Sequence, residues 1–376
     1  MSASIPALFL SLYYDSPYTL IPISYILLLM RIGILSAQLG QEDVHENKRL
    51  VREIHLMGHK AMVINYRRAV IVTTKSKQTL YQPDKKGVLK PVKVNAVIPR
   101  INEADSKSIT LATLALECLI AGGAYSTANP AAIRLSKDKI RSLVAISAAG
   151  VSAPRTAAIT SARTAELDLD RVLKTVEPNA RKRLIIKTIT GTLGRGVMSA
   201  NSRGEARAIV DGFLANNIPV LVQQFVEPTK KNHYVDLRFI IINGKVASTM
   251  KRTSSGRDEI RANISLGGKG ETYAPTESEI DLAERAAKAV GLAVGGVDII
   301  PSGKARMVIE VNSSPGFVIE KVNNVNIVRK IVRQAVSNAN RQEKRATEKL
   351  AIKLKEPIKL RPLPLKKLKF RPKTAS

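Results

Sequence analysis

Two apolar runs, Gly295-Gly-Val-Asp-Ile-Ile300 and Met307-Val-Ile-Glu-Val-Asn312, each carry a carboxylate among aliphatic neighbours. Ser302-Gly303 lies between them and predicts a tight turn, so the two runs read as a hairpin. Glu310 and Asn312 are two residues apart and share a face, and Asp298 on the partner strand can share it too. The apolar flanks imply partial burial, where unpaired carboxylates are costly. Three hard oxygen donors on one rigid hairpin suit Mg²⁺ held together with substrate phosphates. The plainer reading, a solvent-facing polar side, is the better one for such a pattern in isolation.

A second feature works against isolation. Leu184-Ile-Ile-Lys-Thr188 places Lys187 inside an apolar strand, and Gly191-Thr-Leu-Gly-Arg-Gly-Val197 follows it. Glycines at 191, 194 and 196 let backbone N–H groups approach an anion closely. The loop does not open a helix as a dinucleotide fingerprint does, and it lacks the Lys-Ser/Thr of a P-loop. It reads instead as a lid. A lysine buried by its neighbours can snorkel to solvent, but a lysine, a glycine lid and a hairpin of acids in this order point to a phosphate site.

Around these features the chain reads as three lobes. Strands at 31–36, 61–65 and 96–99 alternate with helices at 46–57 and 109–121, which predicts a small parallel sheet over residues 30–130. A long helix over 131–149, closed by Gly150, opens a central lobe, 131–220, that also holds the strand 184–189, the glycine lid and a helix at 204–214. A strand at 220–226 leads to the third lobe, 221–337, mostly strand, with Asn243-Gly244 as a hairpin signal, a helix at 277–290 and the acidic hairpin.

Composition bounds the partners. The 376 residues carry 60 Lys+Arg against 31 Asp+Glu, a net charge of +29, and 44% are hydrophobic, so the chain is globular and a polyanionic neighbour is expected. The one cysteine, Cys118, excludes an internal disulfide and a cysteine-cluster metal site, and reads as a core residue. Four scattered histidines do not suggest zinc. With 4% aromatics, base-stacking single-strand binders are disfavoured. Residues 1–29 form an apolar extension broken by Pro17 and Pro22, shorter in its uncharged run than a membrane helix needs. It reads as translated upstream sequence before a start at Met30. Residues 341–376 hold 13 Lys/Arg against 3 Asp/Glu, and 338–376 read as a basic disordered tail, an extended arm suited to docking on RNA.

Residues 30–335 resemble the ATP-grasp ligases, and within them the RimK-type glutamate ligases. The resemblance is carried by MRIGILS (30–36), AVIPRI (96–101), SKDKIRSL (136–143), LIIKTITGTLGRGV (184–197), VLVQQFV (220–226), VDLRFIIINGKV (235–246), IRANISLGG (260–268) and GGVDII…VIEVNSSPG (295–316). It implies an α/β (α+β) ATP-grasp fold: a Rossmann-like pre-ATP-grasp lobe followed by two α+β subdomains that sandwich ATP. It implies that Lys139 and Lys187 contact ATP phosphates, that Gly191, Thr192, Gly194 and Gly196 close over them, and that Gln224 and Phe225 contact adenine largely through backbone. Asp236 would lie near the ribose. Arg261 and Asn263 would meet the transferring phosphate, making them catalytic with Lys187. Asp298, Glu310 and Asn312 would hold one or two Mg²⁺ or Mn²⁺.

The implied reaction is a cytoplasmic, ATP-dependent carboxylate–amine ligation through an acyl phosphate. The resemblance implies glutamate as amino-acid donor, a protein or small-molecule carboxylate as acceptor (for the RimK branch, the C-terminus of a small-subunit ribosomal protein), ribosome or RNA contact through the basic surface and tail, and a homo-oligomer. Departures lie on the substrate side. Gln-Gln-Phe stands where the family has Gln-Glu-Tyr, Leu266 where it has Arg, and one Glu after Ser-Pro-Gly316 is missing. They leave two alternatives: a ligase acting on a cofactor or amino-group carrier protein, and a catalytically impaired scaffold that binds RNA.

Overall fold

The computed structural model describes residues 29–355, apart from 38–39, 104, 161–167, 190–195, 228–233, 257–261, 263 and 265–266. The expectations for residues 1–28, Gly191, Thr192, Gly194, Arg261, Asn263, Leu266 and the tail from 356 lie outside these.

The first lobe builds on β1 (Arg31–Ser36), α1 (Gly40–Leu56) and β2 (Lys60–Asn65). A meander follows: β3 (Val70–Thr73), β4 (Gln78–Pro83) and β5 (Leu89–Pro91). Then come β6 (Ala96–Arg100), α2 (Ser106–Ala121) and the short β7 (Tyr125–Ser126). The main sheet is parallel, in the order β2-β1-β6-β7, as the strand–helix alternation predicts. The meander went unread because β3 and β5 are largely exposed and lack a core-facing alternation.

The single helix expected over 131–149 is two: α3 (Pro130–Lys137) and α4 (Lys139–Ala148). Asp138 breaks the run by capping the second helix, its Oδ1 accepting from the N–H groups of Ile140 and Arg141 at 3.0 Å. Neither helix joins the central sheet. Ala132 and Ile146 pack into the core beneath the third lobe, so the chain enters the central lobe only after Val151.

That lobe is an antiparallel sheet, β10-β9-β11-β8, made from β8 (Thr156–Ile159), β9 (Leu184–Thr188), β10 (Val197–Ala200) and β11 (Val220–Gln224). α5 (Leu169–Val176) and α6 (Arg203–Ala215) cover one face through Leu173, Ala206, Val210 and Leu214. Leu184 and Ile186 join that core. By period two, Ile185 and Lys187 therefore turn to the opposite face.

The third lobe is a five-stranded antiparallel sheet, β14-β13-β12-β15-β16. Its strands are β12 (Val235–Ile242), β13 (Lys245–Thr253), β14 (Lys269–Thr272), β15 (Val294–Ser302) and β16 (Ala305–Asn312). Asn243 and Gly244 make the β12–β13 turn at φ 57° and 74°, the left-handed pair that this dipeptide favours. The β15–β16 turn is Gly303-Lys304, one residue later than expected, with Gly303 at φ 55°. Leu237, Phe239 and Ile241 face α7 (Glu277–Val290), while Ile240 and Ile242 face the first lobe.

After α8 (Ile319–Asn323) the chain runs into α9 (Ile327–Lys355). Ile327, Val328, Ile331, Val332, Ala335 and Ala339 form its buried stripe, packed in one core with Ile32 and Ile34 of β1 and Leu50 and Ile54 of α1. The expected disordered tail is thus helical as far as Lys355; the first proline after residue 338 is Pro357, so nothing earlier interrupts the helix. From Asn340 to Lys349 every residue is exposed. No described helix is long and apolar enough to cross a membrane.

Candidate active site

The inner face of the five-stranded sheet carries charge where the outer face carries aliphatics. Asp236 and Arg238 lie four and two residues before Ile240 on β12, so they continue its face toward the central lobe. Cross-strand register places Asp236 opposite Arg252, Arg238 opposite Asp298, Asp298 opposite Glu310 and Gly296 opposite Asn312. One surface therefore holds all three expected metal ligands.

They are not in equivalent states. Asp298 is 3% exposed and Arg238 grips it with two donors, Nη2 at 2.8 Å from Oδ2 and Nε on Oδ1. Arg252 adds Nη2 at 2.9 Å from Asp298 Oδ2, and also holds Asp236 through Nε at 2.5 Å and Nη2 at 2.8 Å. Burial works against each charge, and the outcome differs between the two acids: Arg238 and Arg252 hold Asp298 below the usual carboxylate range, whereas burial keeps Asp236 above it despite Arg252. Likewise Asp298 and Asp236 raise Arg252. The four groups sum to zero charge, which is how a sheet interior tolerates them. Gly296 makes room, since a Cβ there would lie 3.2 Å from Arg238 Nη1.

Glu310 is exposed, contrary to the expected partial burial, because it faces the space between the two sheets. Asn312 is half-buried, and its Oδ1 accepts from the Ser314 N–H at 2.9 Å. The loop after it docks on the first lobe. Ser314 Oγ accepts from the Ile101 N–H at 3.0 Å, the Pro315 carbonyl from Arg100 Nη1 at 2.8 Å, and Arg100 also pairs with the buried Glu46. The Arg100 guanidinium sits 4.6 Å from the centre of the Phe317 ring.

Two lysines face Glu310. Lys139 starts α4, and its Nζ donates to the Thr188 carbonyl at 3.3 Å. Lys187 stands on β9, half-buried, with Nζ 2.7 Å from Gln223 Oε1. Burial lowers the Lys187 ammonium to about 8, Glu310 opposing and Lys139 reinforcing the shift. Burial lowers Lys139 as well, again opposed by Glu310. One carboxylate thus acts on two cations from two other elements, across a cleft.

The remaining expected residues fall unevenly. Gly196 closes the base of the glycine loop at φ 73°; its carbonyl accepts from the Thr188 N–H at 3.1 Å, and a Cβ would lie 2.5 Å from Thr188 Oγ1. The Gln224 N–H donates to the Arg155 carbonyl at 2.8 Å. Phe225 packs edge-on to Tyr234 at 5.8 Å, with Arg183 5.5 Å from its ring centre. Asp236, expected near a ribose, is 6% exposed and held by Arg252.

The sequence reading missed Gln223, Arg238, Arg252 and Arg100. Arg238 leaves a trace, a cation between Leu237 and Phe239 in an apolar strand, like the one that marks Lys187; Arg252, between Lys251 and Thr253, leaves none.

The donor set fits a divalent cation shared with phosphate. Glu310 and Asn312 supply oxygens at the cleft, and the opposing lysines suit the phosphate's charge. Asp298 fits less directly, since both its oxygens already accept from arginine.

Residues 30–133 match the RimK PreATP-grasp domain and residues 136–335 the RimK-like ATP-grasp domain. A "probable alpha-L-glutamate ligase" of Picosynechococcus sp. is 31% identical over 312 residues, 82% of this chain and 96% of that protein. One of the same name from Thioalkalivibrio sulfidiphilus is 33% identical over equal shares. Among solved structures, the ATP-grasp ligase PsnB with its minimal precursor is similar at TM-score 0.59 and 19% identity, over 83% of this chain and 98% of that one. A RimK domain ATP-grasp protein of Sphaerobacter thermophilus follows at TM-score 0.56 and 18% identity, over 81% and 99%. At these identities the structures show a shared fold.

Proposed function

The chain belongs to the RimK-like ATP-grasp family and is an ATP-dependent ligase forming carbon–nitrogen bonds; from that premise we propose that it adds glutamate to a carboxylate at a protein C-terminus. The observation that supports a working phosphate site is Glu310 facing Lys139 and Lys187 across the cleft. A structural role alone gives no reason to desolvate two lysines opposite one exposed acid.

In the proposed reaction an acceptor carboxylate oxygen attacks the γ-phosphorus of ATP. The β,γ-bridging bond breaks, ADP leaves, and an acyl phosphate forms. The donor amine then attacks the acyl carbon, phosphate leaves, and an amide remains. Lys139 and Lys187 neutralise phosphate charge in the transition state, with Arg261 and Asn263 assigned to the transferring group. Glu310 and Asn312, with Asp298 behind them, would hold one or two Mg²⁺ or Mn²⁺, which supply charge neutralisation on the phosphates. The glycine loop over 191–196 excludes water that would hydrolyse the acyl phosphate. Gln224 and Phe225 flank the adenine.

Glutamate is favoured as donor by the names of the two relatives. A small-subunit ribosomal protein in the cytoplasm is favoured as acceptor by the basic surplus, which suits a target embedded in RNA.

The test is ADP release with Mg²⁺–ATP and a panel of amino acids, beside intact-mass analysis of ribosomal proteins. Glutamate-dependent release, lost in Glu310→Ala, with mass steps of one glutamyl residue, is the expected result. Release that no amino acid stimulates overturns the ligase reading; release without a mass change on any ribosomal protein overturns the acceptor.

A further inference from the structure

The group that meets the Lys187 ammonium behind the cleft is neutral, and its orientation is set from a distance. Lys187 Nζ donates to Gln223 Oε1 at 2.7 Å, Gln223 Nε2 donates to Thr156 Oγ1 at 2.9 Å, and Thr156 Oγ1 donates to the Pro154 carbonyl at 2.9 Å. A carbonyl only accepts, so the Thr156 hydroxyl gives its one proton to Pro154 and can only accept from Gln223. The Gln223 amide must then turn its nitrogen to Thr156 and its oxygen to Lys187. Gln223 is 4% exposed, so water does not compete for either end.

Register keeps the three side chains on one side. Gln223 pairs directly with Thr156 on β8 and with Ile185 on β9, the residue two before Lys187. Of the two adjacent glutamines, only Gln223 lies on the lysine's face.

A carboxylate at this point would cancel the lysine's charge, and an aliphatic group would leave the ammonium unheld in a desolvated slot. A fixed neutral acceptor occupies one of three N–H donors and leaves the other two, with the whole charge, for an anion in the cleft. Resting on the reading of this cleft as an ATP site, we infer that Gln223 is a positioning residue for phosphate recognition: it aims Lys187 into the cleft as a full cation, and Thr156 fixes Gln223 in the only orientation that can do so.

A distinguishing consequence lies in pH. Besides Gln223, the charged groups that act on the Lys187 ammonium are Glu310 of β16, which favours its charge, and Lys139 of α4, which disfavours it. Removing the Gln223 oxygen withdraws a hydrogen bond to the charged form, so the ammonium titrates at lower pH. A carboxylate in its place shifts the titration upward.

The experiment measures binding of Mg²⁺ with a non-hydrolysable ATP analogue by calorimetry, across a pH range centred near 8. In the wild-type chain affinity falls as pH rises through that value. Gln223→Leu is expected to weaken binding about tenfold or more and to move the fall to lower pH. Gln223→Glu also weakens binding but moves the fall to higher pH. Thr156→Val follows Gln223→Leu, and Thr156→Ser restores wild-type behaviour. If the fall keeps one midpoint in every variant, Gln223 is packing and the inference is wrong, whatever the change in affinity. If the Gln223 variants fail to fold by circular dichroism, the Thr156 pair decides. A wild-type chain that binds no nucleotide contradicts instead the reading of the cleft.

Discussion

Arg238 and Asp298 face each other in direct register across β12 and β15, with Nη2 2.8 Å from Oδ2. The pair sits in a row with Arg252 and Asp236, and the next strand carries Glu310 opposite Asp298. One cross-strand step leads from a buried, fully paired acid to an exposed one, and the two should respond differently to removal.

Asp298→Ala leaves the buried Arg252 and the half-buried Arg238 guanidinium groups short of a partner and is expected to cost about 3–5 kcal/mol of stability. Glu310→Ala removes an exposed side chain and should change stability by no more than ~0.5 kcal/mol while abolishing nucleotide turnover. Urea unfolding beside an ADP-release assay separates the two; equal stability loss in both variants would refute the contrast.

Glu53 gives the acid limb of the stability curve. Burial alone would raise its carboxyl, but hydrogen bonds from Arg49, Asn326 and Arg329 outweigh it and hold the group at about 2, down from 4.5. A folded-state value below the unfolded one means stability that is complete above 4.5 and drains away as pH falls toward 2. Glu53→Gln should be less stable at neutral pH, by about 1–3 kcal/mol, with a shallower decline on the acid side. Melting curves along an acid series check this; parallel declines in both chains contradict it.

Much of this architecture was legible in the sequence, because strands such as 184–188 and 294–302 advertise themselves by apolar runs, each interrupted by a single charge, and Asn243-Gly244 announces its turn. What was not legible was parity. In Val220-Leu-Val-Gln-Gln224 the two glutamines are equivalent on paper, and only the register with Ile185 tells which one shares a face with Lys187. Asp138 reads as an ordinary surface residue until its side chain is seen capping α4. The stripe from Ile327 to Ala339 was overshadowed by the basic composition that follows it. Arg238 and Arg252 passed unnoticed because an arginine in a strand usually means an edge, whereas here each meets an acid on the neighbouring strand.

Gly196→Ala combines a left-handed backbone with a Cβ placed 2.5 Å from Thr188 Oγ1. The strain is of order 1–3 kcal/mol, and displacing Thr188 disturbs the carbonyl that accepts from Lys139. The expected signature is a raised KM for ATP with a smaller change in thermal midpoint, read from steady-state kinetics and a melt. An unaltered KM would show that the loop's base tolerates a side chain.

Truncation should divide α9 sharply. A chain ending at Asn340 keeps the buried stripe and should melt within a degree or two of the full chain, since exposed residues contribute little. A chain ending at Asn326 loses Ile327, Val328, Ile331 and Val332 from the first-lobe core and should not give a cooperative melt. Differential scanning calorimetry distinguishes them; a cooperative transition in the shorter chain would mean that the stripe is dispensable.

That stripe also sets an order of events during synthesis. The parallel sheet emerges first from the translating ribosome, yet the helix that seals one of its faces is made last, some 230 residues after β6 begins. Until then Ile32, Ile34, Leu50 and Ile54 lack their cover, and the nascent chain must shield them by other means. Closure across so long a stretch of chain is slow, and a premature stop anywhere before α9 leaves the opening lobe sticky rather than merely inactive.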